Sequence, residues 1–198
     1  MLASLSILFS PLLAASGLAL PTSRATPTAC AAFANGVPAV AQFTLSAHYV
    51  NATTRPQTLV LGAPSAASNE SYLGTAETIR VPVGSTFAMA QSGVTARPVA
   101  GAGAPSVSRA VPGSNALLTF TADAAAPAQA YCELVNTDPN GSPYPYPVLA
   151  VNSDSENFSV CRSEGGEDVV VYNASSATTV YDAGSCQKVH VLLVQPRQ

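Results

Sequence analysis

There is no tryptophan in the chain, one lysine (Lys188) and only two histidines (His48 and His190). Charged residues make up 10% of the sequence, where an ordinary soluble domain carries about 25%. The net charge is −3, and the arginines are scattered singly. Phosphate backbones are held by clustered Lys and Arg, so the sequence has no electrostatic footprint for a nucleic acid. No Gly-X-Ser-X-Gly elbow occurs, so a hydrolase built on that nucleophile turn has no support. No Cys-X-X-Cys pair occurs, and no histidine lies at ligand spacing from a cysteine, so a zinc site lacks its donors. The acidic stretch Asp154, Glu156, Glu164, Glu167 and Asp168 lacks the alternating spacing of a calcium loop and reads as a solvated acidic loop. No metal and no cofactor is expected.

Hydrophobic residues reach 47%, and Ala, Ser, Thr, Val, Pro and Gly fill the space left by charge. Solubility must then come from hydroxyls, amides and glycans. The length fits one domain with a real core.

Residues 1–19 pair an apolar run with small residues. Gly17 and Ala19 stand at the −3 and −1 positions of a cleavage site. That is the pattern of a secretory signal peptide, though without a basic start. The run is too short for the ~20 apolar residues of a membrane span, and Ser10 and Pro11 interrupt it. The C-terminus ends in polar residues and lacks the apolar tail of a lipid-anchor signal. A secreted protein, extracellular or in a cell wall, with no membrane contact in its mature form is the expectation.

Two further features agree with secretion. Asn-X-Ser/Thr sequons start at Asn51, Asn69, Asn157 and Asn173. A further one at Asn140 is weakened by the Pro143 that follows it. The cysteine count is even: Cys30, Cys132, Cys161 and Cys186. Oxidised pairs suit an extracellular chain. Three connectivities are open. Cys161–Cys186 with Cys30–Cys132 is favoured, because the first pair joins neighbouring C-terminal strands. Residues 168–172 lie between those cysteines and read as a buried central strand, spanned by the bridge in a two-hairpin meander. Closing a loop of about 25 residues contributes ~3 kcal/mol in the chain-entropy model.

The strand signal is period-2 alternation. In residues 42–49, Phe43, Leu45, Ala47 and Tyr49 alternate with polar neighbours. Further strands are expected at 58–61, 78–83, 86–90, 116–122, 129–135, 147–151, 157–161, 168–172, 178–181 and 188–194. Residues 91–114 are rich in Gly, Ala, Pro and Ser and read as a long loop with at most one short strand. Residues 138–141 carry a Pro/Gly turn signal. Helical periodicity is absent. The expectation is all-β: an antiparallel β-sandwich or barrel with little helix after the signal peptide. Residues 20–40 form an extended N-terminal segment, and 41–198 a single β domain.

Few residues carry candidate chemistry. His48 and His190 each fall in a strand pattern and read as ordinary strand residues, with acid–base work as the alternative. Glu133 and Asp168 are the candidate carboxylate pair of a hydrolase. Residues 142–147 alternate Pro and Tyr in a polyproline-like loop. Tyr144 and Tyr146 could offer stacking faces to a sugar. A rigid connection whose rings pack on the sheet edge is the simpler reading.

The order of segments also resembles a family. A strand at 43–46, a segment at 86–90 followed by 93–96, a late strand at 157–161 and a terminal strand after Cys186 together resemble small secreted fungal proteins of the phialide-development cell-wall type, some described as IgE-binding. The resemblance implies a wall-associated, non-enzymatic protein without a cofactor, whose partners are wall polysaccharide or other wall proteins. Two alternatives stay open: a carbohydrate-binding module using the Tyr-Pro loop, and a hydrolase using strand carboxylates.

Overall fold

A computed structural model describes residues 40–51, 55–64, 69–98, 105–109, 113, 115–123, 126–134 and 146–196. The expected signal peptide, almost all of the extended segment, the 138–141 turn, Cys30, Asn140 and Tyr144 lie outside them. The described residues form thirteen strands and no helix. They are β1 (Val40–Tyr49), β2 (Gln57–Gly62), β3 (Glu70–Thr75), β4 (Pro82–Ala90), β5 (Gly93–Pro98), β6 (Ser106–Ser108), β7 (Ala116–Leu117), β8 (Thr119–Thr121), β9 (Tyr131–Leu134), β10 (Val148–Val151), β11 (Phe158–Ser163), β12 (Asp168–Tyr172) and β13 (Tyr181–Val194).

Ten strands close into an antiparallel barrel. The ring runs β1, β2, β4, β5, β6, β8, β3, β12, β11, β13 and back to β1. A β9–β10 pair extends from β13, and β7 pairs with β12. The long strands β1 and β13 each change partners along their length. β1 pairs with β4 near its start and with β2 near its end. β13 pairs with β11 in its first half, then with β1 and β10.

Alternation explains the core. Phe43, Leu45, Ala47 and Tyr49 of β1 face Val189, Val191 and Leu193 of β13 inside the barrel. Phe87 stacks on Phe43 with ring centres 6.1 Å apart and lies 6.0 Å from Phe120. Phe158 meets Tyr172 edge-on at 5.4 Å. Such ring pairs add about 0.5–1.5 kcal/mol to the area they bury. A smaller apolar cluster lies on the other face of β11 and β12, where Cys161, Val169, Val171 and Tyr181 are buried together.

Several strand expectations need correction. Residues 91–114 contain two strands, β5 and β6. The β4–β5 hairpin turns through Gln91 and Ser92, both at positive φ (49° and 61°), as a two-residue type I′ loop requires. Gln-Ser is not the Asn-Gly signature of that turn, so the hairpin is hidden in the sequence. Residues 78–83 are not a strand: residues 76–78 turn, and β4 begins at Pro82, which can start a strand but cannot donate within one. β3 falls in a stretch where no strand is expected from the sequence. Residues 116–122 split into β7 and β8 at the buried Leu118. β13 begins at Tyr181 rather than Lys188 and takes in the end of the 178–181 segment. The meander is also wrong: β11 sits between β12 and β13. The Cys161–Cys186 bridge therefore joins adjacent strands directly and does not span β12.

Candidate functional site

The barrel has a polar mouth where β1 ends and β13 begins. A break in the β11–β13 ladder creates it. Val160 pairs with Gln187 and Arg162 with Asp182, so Cys161 alone stands opposite residues 183–186. The extra residues bulge out of the ladder, a device that re-aims side chains next to functional sites. The Cys161–Cys186 disulfide pins the bulge, with Cα atoms 4.1 Å apart. Two grooves of about 390 and 380 Å³ result, sharing Tyr49, Cys186 and Gln187. Barrel mouths are common sites for small ligands, and these volumes fall at the lower end of the usual ~300–1,000 Å³.

Hydrogen bonds fix the walls. Arg162 and Asp168 are register partners and form a two-pronged ion pair, Nε–Oδ1 2.5 Å and Nη2–Oδ2 3.2 Å. The Arg162 N–H donates to Ser185 Oγ at 2.8 Å, and Ser185 Oγ donates to the Asp182 carbonyl at 2.6 Å. The Gly184 N–H donates to Asp182 Oδ1 at 2.9 Å. The Asp168 N–H donates to Thr78 Oγ1 at 2.8 Å. Tyr49 closes the floor: its hydroxyl donates to Gln57 Oε1 at 2.7 Å, and Gln57 Nε2 donates to Glu77 Oε2 at 3.0 Å. Burial raises the Tyr49 pKa, and the nearby Asp168 and Glu77 carboxylates raise it further. That hydroxyl therefore stays a neutral donor. Outside the grooves, Tyr72 packs against the Cys161–Tyr181 cluster and hydrogen-bonds Glu167, and burial plus that carboxylate push its pKa up to about 12.

The candidate residues read from the sequence do not gather at one point. Asp168 is at the mouth, held by Arg162. Glu133 lies on β9 and lines neither groove; β11, β13 and β10 stand between its strand and that of Asp168. Its Oε2 is buried with no hydrogen-bond partner among the described residues, and burial raises its pKa. His48 and His190 are register partners across β1 and β13, with His190 Nε2 3.2 Å from Glu156 Oε2. Tyr146 is half-buried just before β10. Cys132 is disulfide-bonded, and the Cys30 expected to pair with it lies outside the described residues. Among the described residues, no group of three or more His, Cys, Asp or Glu side chains could hold a metal ion.

The mouth itself is invisible in the sequence. Tyr49, Arg162, Asp182, Ser185 and Gln187 come from three strands and meet only because β13 bulges. The one available signal is Asp182, Gly184 and Ser185, turn-forming residues where a strand should be apolar on alternate positions.

No family model, curated protein or solved structure matches the chain.

Proposed function

We propose that the protein is a secreted, N-glycosylated, non-enzymatic surface or structural component of a fungal cell wall or extracellular matrix. One observation supports the secreted, glycosylated part of this reading; the wall role rests on the resemblance of the segment order. Asn51, Asn69, Asn157 and Asn173 are all exposed, and each lies next to a strand end: after β1, before β3, before β11 and after β12. A glycan at any of them projects from the barrel without entering the ladder. On a chain so poor in charge, such glycans would supply the hydration that Lys and Glu supply elsewhere. The disulfide between β11 and β13 suits the same compartment.

The test is expression of the full chain in a secreting eukaryotic host. The expected product starts near Leu20, gains mobility on endoglycosidase treatment, binds insoluble wall polysaccharide and releases no soluble sugar from it. Met1 retained on extracellular protein would overturn the secretion reading. Unchanged mobility would remove the glycans. Sugar release abolished by Glu133→Gln or Asp168→Asn would make the protein a hydrolase.

A further inference from the structure

From the geometry of the mouth we infer a binding site for a neutral polyhydroxylated ligand, a short saccharide, in the paired grooves beside the Cys161–Cys186 bridge. Charge argues for a neutral ligand. Among the described lining residues, the first groove sets Asp168 and Asp182 against Arg162, which Asp168 already holds on two prongs, and the second carries Lys188 as its one charge, so the two grooves taken together are balanced. An anion would meet Asp182, and a cation would meet Arg162 and Lys188. A hydroxyl needs a donor and an acceptor side by side, and the walls alternate them. Asp182 Oδ2 accepts, the guanidinium edge turned away from Asp168 donates, and the Gln187 amide does both. Gln187 is exposed and is shared by both grooves, so it can reach a ligand in either. The walls are rigid before any ligand arrives. The bulge is closed by the disulfide and by the Ser185 and Gly184 hydrogen bonds, so little ordering is needed on binding.

The ligand chemistry has two sources. Asn51 lines the second groove with Lys188 and Gln187, so a glycan on Asn51 starts at the groove's edge. The same walls could instead receive a free or wall-borne saccharide. Only the Asn51 arm rests on the secreted reading.

The experiment uses two forms of the full chain, glycosylated and Asn51→Gln, followed by backbone amide NMR. Chitotetraose, laminaritetraose and mannotetraose are the probes. In Asn51→Gln, at least one tetrasaccharide should move the amides of Ser185, Gln187 and Lys188. Gln187→Ala, a change at an exposed position, should weaken that binding about tenfold, the equivalent of ~1.4 kcal/mol, while the spectrum stays dispersed. If the glycosylated chain already shows these amides displaced and ignores added sugar, its own glycan is the occupant. If it titrates like Asn51→Gln, the ligand is external. The proposal is overturned if no probe moves the mouth amides of Asn51→Gln and glycan removal leaves them in place. It is equally overturned if shifts occur only away from the mouth. A chain that is secreted and glycosylated yet silent in this titration would sink the groove and leave the wall-protein reading standing.

Discussion

A Cβ atom on Gly74 would sit 2.6 Å from the carbonyl oxygen of Asp168, closer than real Cβ contacts come. The contact falls where β3 meets β12, with Gly74 opposite Val169. That pairing closes the barrel on the side of the mouth and sets the backbone of Asp168, whose side chain holds Arg162. The same Cβ would press on Ile79 at 2.9 Å. Ile79 can yield, but the Asp168 carbonyl belongs to the ladder.

Gly74→Ala should therefore destabilise the protein by ~1–3 kcal/mol, the range for overpacking a tight site. Urea unfolding of the two proteins measures it. Gly113 is the control: a Cβ added there meets nothing within 4 Å among the described residues, and Gly113→Ala should be close to neutral. Equal midpoints for Gly74→Ala and the parent would show that β3 and β12 separate easily there, and the mouth would lose its fixed wall.

The two sequons Asn157 and Asn173 also lie side by side, the Asn173 N–H donating to the Asn157 carbonyl at 2.7 Å. Their local roles differ. Asn157 Nδ2 donates to Asp154 Oδ2 at 2.5 Å, while Asn173 holds a left-handed φ of 52°. Asn157→Ala should cost roughly 0.5–1.5 kcal/mol through the lost hydrogen bond. Asn173→Gly should cost nothing measurable, because glycine takes positive φ without a steric penalty. Thermal melts of the unglycosylated proteins, made in a host that attaches no N-glycans, separate these effects from glycan loss. A larger loss at Asn173 than at Asn157 would reverse the assignment.

The all-β class, the alternation of β1 and the span of β12 are legible in the sequence, because each is a local pattern; the Cys161–Cys186 bridge is the favoured one of three open connectivities and forms, but between adjacent strands rather than across β12. Val169, Val170 and Val171 are buried on both faces of their sheet, so a continuous apolar run is enough. What cannot be read depends on partners. The β4–β5 hairpin turns through Gln91 and Ser92, residues with no turn signature. The order β12–β11–β13 follows from β13 crossing to the far edge of β11, which no local pattern records. The mouth depends on both that order and the bulge, so its residues carry no sequence signal as a group.

Cys186→Ser should cost about 2–5 kcal/mol, as native bridges in secreted domains do. It should also lower secretion, because the unfolded fraction of a marginal chain is retained and degraded. The bulge adds a second readout. With the bridge gone, residues 183–186 keep the Ser185 and Gly184 hydrogen bonds but lose their covalent tie to β11, so their amides should exchange faster while those of Val170 and Val191 stay protected. Unchanged exchange across 183–186 would mean that the disulfide is not what holds the bulge.

Acid should separate two carboxylates, Asp154 and Glu133. Burial by itself would raise the Asp154 pKa, but hydrogen bonds from the Glu156 N–H, the Tyr172 hydroxyl and Asn157 outweigh it, and the pKa is lowered. Glu133 is the opposite case: burial raises its pKa, and its Oε2 has no partner among the described residues. The signs follow from proton linkage. For Asp154 the unfolded chain binds the proton more tightly, so its contribution is present above the ordinary aspartate value near ~4 and is lost as pH falls through the lowered one. For Glu133 the folded chain binds the proton more tightly. Its contribution is full below the ordinary glutamate value near ~4.3 and is lost as pH rises through the raised one. Glu133→Gln should therefore stabilise the protein at pH 7, and the gain should vanish at pH 4. Asp154→Asn should do the reverse, destabilising at pH 7 and converging on the parent in acid. Urea midpoints at the two pH values test both. A Glu133→Gln protein that is less stable than the parent at pH 7 would mean that the carboxylate has a partner in solution.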